Sequence, residues 1–403
     1  MFRSTFTPVF TSGKLKKMLP ILNEINEKIE KYIMIHSSTN DGLEVKHLMG
    51  KFSMDALASC AFGVDSGSFT NENSEFIKAA DKVFDFANPW AILQNVIAMF
   101  TPKAVKKFFH SLGFTNFATI ANLKENKFFQ DVVEASINQR KQSKIRRNDL
   151  VDLMIDATEG KLDLAEEASS EQHYIEGQND QKILQQQPES RPKDINYDHV
   201  ISTAGVLLLA GYDTTGTTMS YIIYELAMNQ DYQDVLFEEV ETARKDGGLS
   251  YDTIQSLPYL DAVVHETLRR HPVVSGLERP CTKEYKLPGT DLVIRKGDLV
   301  RFNNMGICFD PEIFPNPEKW NPENFSKENR ASRSPYSFLA FSLGPRNCIA
   351  MRFAFFEMKV AVSHLVTTFK ILPTTKTCKK PEVDPRSVLG AAKGGLWVKF
   401  EPR

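Results

Sequence analysis

Residues 341–348, Phe-Ser-Leu-Gly-Pro-Arg-Asn-Cys, lead straight into a stretch, 348–370, that is apolar on most faces of a helix. A helix without a polar face has to be buried, so the chain must wrap it in other layers. The same stretch places Cys348 at the start of that helix, after a turn containing Gly344 and Pro345. Any fold open to this chain must therefore deliver one sulfur to the positive end of an interior helix.

The rest of the pattern is helical too. Apolar residues recur at helical spacing over 14–35 and again from Val45 to Phe62, where Gly63 is a stop. A long helix is expected over 197–229, with others over 231–245 and 254–270. Pro and Gly become frequent over 271–341, and short strand-like runs appear, such as DLVIRKGDLVRF at 291–302. There are no internal repeats. The expected architecture is mainly α with a small, late β region, built as one domain over 1–403. Residues 158–196, rich in Glu, Gln, Ser and Asp, read as a flexible insertion within it. The apolar stretch 83–100 reads either as core or loop, or as a patch dipping into a bilayer interface.

Composition removes several function classes. The net charge of −2 provides no global basic field for nucleic acid. Five cysteines, widely spaced and without a CxxC, suit single-site chemistry in a reducing compartment better than a disulfide framework. No run of 18 apolar residues is present, and the first residues, MFRSTFTPVF, lack the pattern of a signal peptide.

Three constellations carry chemistry. Around Cys348, backbone N–H groups of the glycine-containing loop and the following helix favour the thiolate over the thiol. Arg346 adds a cation suited to a carboxylate of a bound porphyrin, and a thiolate on the metal would push electron density onto it. A lone cysteine is by default a buried structural residue. Phe341, Gly344, Arg346 and Cys348 at fixed spacing before a helix override that default.

The second constellation is Ala210-Gly211-Tyr212-Asp213-Thr214, inside the long helix. Residues 210, 211 and 214 share a face, and small side chains would let it lie flat against a planar group. Thr214 can bond back to the carbonyl of residue 210, loosening the ladder for water, and Asp213 with Thr214 would form a proton relay. An ordinary helix with a Ser/Thr-rich solvent face explains this motif equally well on its own. The third is Glu266-Thr-Leu-Arg269, an i, i+3 pair whose apolar surroundings point to burial. A second copy, Glu241-Thr-Ala-Arg244, sits in a charged stretch and reads as a solvated pair.

In this order the three motifs resemble the cytochrome P450 superfamily of haem-thiolate monooxygenases, over essentially the whole chain. FTSGKLKKM (10–18), MSYIIYELA (219–227), ETLRRHPV, LERPC and GPRNCIAMRFA resemble most the vertebrate 3A subfamily and its animal relatives. Those are microsomal enzymes fed by an NADPH-dependent flavoprotein reductase. The resemblance implies haem b with Cys348 as axial ligand to its iron, and Thr214 with Asp213 in oxygen activation. It places Arg3, Arg279 and Arg346 at the haem propionates and Phe341, Ala210 and Gly211 against the macrocycle. Glu266 and Arg269 become a structural brace on the proximal side. Leu209, Val273, Val274 and the turn near Leu389 would line the distal pocket. An apolar small-molecule substrate, an endoplasmic-reticulum location and contact with a membrane surface are implied as well.

The chain departs from the family pattern at several points. Arg3 fits an arginine whose partner tryptophan would precede Met1, so the anchor, the first helices and two strands are expected to be missing. Asn324, in Pro322-Glu-Asn-Phe325, replaces an arginine of the usual Glu-Arg-Arg cluster. Ala350 and Ser342 stand in for glycines, and Ala340 for a proline. These departures motivate a second reading, a haem-fold relic or scaffold without turnover. A third, a thiolate-haem isomerase acting on peroxides, would have no use for the proton relay.

Overall fold

The computed structural model describes residues 10–37, 41–84, 123–143, 145–147, 149–159, 197–387 and 389–403. Arg3, residues 85–100 of the apolar stretch and 160–196 of the insertion lie outside the described residues. Helix α1 (Ser12–His36) buries Leu15, Met18, Leu22, Ile25, Ile29 and Ile33, the stripe its spacing predicts. A short strand β1 (Leu43–Glu44) leads into α2 (Val45–Leu57), where the Glu44 carboxylate accepts from the N–H groups of Lys46 at 3.1 Å and His47 at 2.7 Å. That cap satisfies two donors the helix cannot satisfy itself. A π turn, Ala58–Phe62, extends α2 to Gly63, whose φ of 67° ends it as expected.

Helices α3 (Glu75–Phe84), α4 (Leu123–Ser143) and α5 (Leu150–Thr158) come next, and α6 (Tyr197–Met228) is the long central helix. It crosses α2 closely, because a Cβ on Gly216 would lie only 3.2 Å from the Gly50 Cα. Beyond it are α7 (Gln230–Gly247), α8 (Tyr251–Ser256) and α9 (Pro258–Arg270). The single helix expected over 254–270 is thus two. Pro258 favours an extended residue before it, and Leu257 obliges with ψ 108°, leaving the proline at the first helical position.

Two antiparallel pairs follow: β2 (Leu277–Pro280) with β5 (Leu299–Phe302), and β3 (Tyr285–Lys286) with β4 (Val293–Ile294). The strand-like run 291–302 is therefore shared between two sheets, split at Gly297, where φ is 100°. Short helices α10 (Asn304–Cys308) and α11 (Lys327–Ala331) precede α12 (Met351–Thr368). Twelve of the α12 side chains are buried, among them Phe353, Phe355, Phe356 and Val360. It is shorter than the expected 348–370, because 348–350 remain a turn and Phe369 opens β6 (Phe369–Pro373). Strand β7 (Trp397–Pro402) pairs antiparallel with both β6 and the early β1, a long-range pairing that local periodicity does not signal. Mainly helical architecture with small sheets is what the sequence predicts. Among the described residues no helix is long and apolar enough to cross a membrane.

Candidate functional site

The cysteine loop is held by its own backbone. Ser342 N–H donates to Leu339 O at 2.9 Å, Asn347 N–H to Gly344 O at 3.1 Å, and Cys348 N–H to Phe341 O at 2.8 Å. Gly344 takes φ 74° at no steric cost, whereas Ser342 is a non-glycine residue at φ 60°. Its hydroxyl offsets that strain by accepting from Arg279 Nη2 at 3.1 Å, which ties β2 to the loop. Arg279 also donates from Nη1 to Glu278 O at 2.8 Å.

The loop leaves Cys348 exposed, while Cys60 and Cys308 are buried. Burial pushes the Cys308 thiol up to about 11 and Cys60 higher still, making both inert. Helix α12 begins with Ala350 in the capping position, without a side-chain cap and without an acidic residue in its first turn. Its positive end lies next to Cys348, which suits an anion there. Arg346 is exposed on the same loop, and Phe341 is half-buried with its ring 5.0 Å from that of Phe355.

Helix α6 packs against α12. Buried along most of its described length, it exposes Ala210, with Gly211, Asp213 and Thr214 half-buried around it. Thr214 Oγ1 donates to Ala210 O at 2.6 Å, the back-bond the sequence suggests. Gly211 needs a different explanation from the one given by the motif. A Cβ there would lie 2.7 Å from Leu57 Cδ1, so its small size serves the approach of α2. Ala210 and Thr214 remain as the open part of the face. Leu209 is buried, and Val273, Val274 and Leu389 are half-buried.

Asp213 makes an ion pair with Lys46 of α2, and next to it Tyr212 donates its hydroxyl to Asp81 of α3 at 2.9 Å. Burial raises both the Tyr212 and Asp81 pKa values, and the Tyr212 hydrogen bond opposes the shift at Asp81. Lys46, Asp81 and Tyr212 were not among the site residues expected from sequence. Their link is between helices far apart in the chain, and only Tyr212 lies within a recognised motif.

On α9, Glu266 and Arg269 are wholly buried. Arg269 Nε and Nη2 each donate to a Glu266 oxygen at 2.8 Å, a bidentate pair. Arg269 also donates from Nη1 to Cys308 O at 2.9 Å and Pro317 O at 2.7 Å, pinning the chain that leads toward the loop. Glu266 further accepts from Asn321 N–H at 2.8 Å and from Asn324 Nδ2 at 3.1 Å. Burial raises the Glu266 pKa while Arg269 opposes it. Position 324, where an arginine is the family's habit, thus contributes a neutral donor.

The description of the cytochrome P450 family matches residues 2–398. This chain belongs to the cytochrome P450 family. It is 32% identical over 401 residues to cytochrome P450 6k1 of Blattella germanica, covering 99% of this chain and 73% of that one. To cytochrome P450 6B7 of Helicoverpa armigera it is 34% identical over 404 residues, covering 100% and 74%. To cytochrome P450 6B1 of Papilio polyxenes it is 34% identical over 407 residues, covering 100% and 75%. Membership brings a haem cofactor, electrons from a redox partner and monooxygenase chemistry. The residues present suit such a group. An exposed thiol precedes a helix with no side-chain cap, Arg346 is exposed two residues from it, Arg279 is tied to the same loop through Ser342, and Ala210 is a small exposed residue on a helix that packs against α12.

Proposed function

We propose that this P450 is a haem-thiolate monooxygenase in which Cys348 would hold the haem iron through its thiolate, acting on an apolar small molecule with electrons from NADPH through a flavoprotein reductase. The haem, when bound, supplies the insertion of one oxygen atom of O2 into substrate, the other leaving as water. The observation that carries the reading is Cys348 itself, exposed just before the start of buried α12, whereas Cys60 and Cys308 are sealed in the core and the exposed Cys378 lies in a loop beyond β6.

The chain's own residues divide the remaining work. The α12 N-terminus favours the Cys348 anion. Arg279 and Arg346 offer guanidinium groups to the propionates, and Arg3 is assigned the same role by its sequence motif. Phe341 and Ala210 give the macrocycle apolar contact, with the Gly211 backbone beside it. Thr214, its hydroxyl turned to Ala210 O, passes protons at the oxygen-binding face. Asp213 resupplies it when released from Lys46. The apolar residues Leu209, Val273, Val274 and Leu389 set the substrate class, and Glu266 with Arg269 braces the proximal side.

Likeness to the 3A subfamily and to the insect relatives supports one wider animal microsomal group, and with it an endoplasmic-reticulum membrane location. The Thr214–Asp213 pair favours monooxygenation over peroxide isomerisation, which needs no proton delivery.

The deciding measurement is the carbon-monoxide difference spectrum of the reduced, haem-loaded protein. Wild type should show a Soret band at the thiolate position, and Cys348→Ser should abolish it. Persistence of that band in Cys348→Ser would overturn the assignment. NADPH consumption that depends on substrate, with a reductase present, tests the electron route.

A further inference from the structure

The buried cluster at the end of α9 contains one carboxylate, Glu266, and one fully buried arginine, Arg269. Asn324 donates a hydrogen bond to it but no charge. On the far side of Asn324 stands Arg333, whose Nη2 donates to the Asn324 carbonyl. Its guanidinium lies 4.6 Å from the ring centroid of Phe314 and 5.1 Å from that of Phe325. Phe314 is wholly buried and has the Arg269 guanidinium 5.3 Å from its centroid, so the two arginines share one aromatic ring. Burial pulls the Arg333 pKa down from the ordinary arginine value, and Glu266 is the group that holds it up.

We propose that Arg333 supplies the second positive charge of this cluster in place of the side chain at 324, and is a positioning residue for the segment carrying Cys348. The path runs through rings. Phe325, under Arg333, meets Phe338 at 5.2 Å, with His265 5.3 Å from Phe338 and 4.7 Å from Phe355, and Phe355 touches Phe341 of the loop. Arg333 also lies one residue before Ser334, which caps the 3-10 turn Pro335–Ser337, from which the chain runs on to the loop. A guanidinium suits this place better than an ammonium, because its plane can stack on a ring while an edge N–H reaches a carbonyl. The inference rests on Cys348 being the haem ligand.

Three variants of the full chain test it: Arg333→Met, Asn324→Arg, and the two together. The readouts are haem retention, the share of the reduced carbon-monoxide complex showing the thiolate band, and the urea midpoint of the haem-free protein. Arg333→Met should weaken haem retention about ten-fold, the size of one lost charge-assisted interaction, shrink the thiolate share and lower the midpoint. Adding Asn324→Arg should restore all three, since it returns the charge to the same carboxylate from the other side. Should Arg333→Met fail to fold, recovery of folded protein in the double variant is the supporting result. Wild-type behaviour of Arg333→Met overturns the proposal. An impaired Arg333→Met that Asn324→Arg does not rescue overturns it as well, by reducing Arg333 to packing. A wild type with haem but no thiolate band would instead sink the Cys348 assignment, which keeps the two failures distinguishable.

Discussion

The same four-residue spacing occurs twice, in Glu241–Arg244 of α7 and Glu266–Arg269 of α9, and both pairs close with bonds of 2.7–2.8 Å. On α7 the arginine is more than half exposed, and the glutamate shares itself with Lys245. Arg244 holds the Glu241 carboxyl down to about 2, yet water screens both partners. On α9 neither partner has any exposure, and the remaining donors of Arg269 go to carbonyls of residues 308, 317 and 319. The motif is identical, but only the second pair organises distant chain. What differs is the dielectric around it and the number of backbone groups that depend on it.

The strongest way to break that contrast is Glu266→Ala. It would leave Arg269 charged in the interior, with the Asn321 and Asn324 donors unmet. Removing one partner of a buried pair costs about 3–5 kcal/mol, so the unfolding midpoint in urea should fall steeply. A loss no larger than that of a surface substitution would show that α9 is not as dry as its burial indicates.

A second buried glutamate sharpens the point, because among the described residues it has no arginine partner. Glu357 of α12 is almost wholly buried and accepts from Ser53 Oγ at 2.7 Å. Burial lifts its pKa from 4.5 to about 8, with only the Ser53 bond opposing. Between those two values the folded chain keeps a proton that the unfolded chain has lost. The stability this carboxyl contributes is therefore complete below about pH 4.5 and drains away as pH rises toward 8. The slope is about 1.4 kcal/mol per pH unit inside that window. Glu357→Gln should flatten it, so that variant and wild type diverge steadily in chemical denaturation from pH 5 to about 8. Parallel profiles would mean that Glu357 is ionised in the fold.

Much of the site could be read from residues next to one another in the chain. The cysteine turn, the Thr214 back-bond and the burial of Glu266–Arg269 all follow from local spacing or local hydrophobicity, as do most helix limits. The break at Leu257 was readable too, since Pro258 announces it, but apolar periodicity on both sides masks it. What escaped depends on partners distant in sequence. Gly211 is small because Leu57 approaches it, and Gly216 because Gly50 does. Lys46 meets Asp213 across 167 residues, and β1 meets β7 across more than 350. The role of Arg333 is hidden for the same reason, because its stacking partner Phe314 and its neighbour Asn324 belong to separate turns.

The smallest expected effect is the most telling test of the opening contrast. Glu241→Ala removes a carboxylate whose hydrogen bonds look as good as those of Glu266. If short distances measured contribution, the two alanine variants would lose comparable stability. Solvent can replace every bond that Arg244 gives up, and among the described residues no backbone carbonyl relies on its side chain in the way that Cys308, Pro317 and Lys319 rely on Arg269. The urea midpoint and haem content of Glu241→Ala should therefore match wild type within error, at low salt and high salt alike. A midpoint shift that vanishes on adding salt would instead reveal a real surface contribution, and would place α7 closer to α9 than its exposure allows.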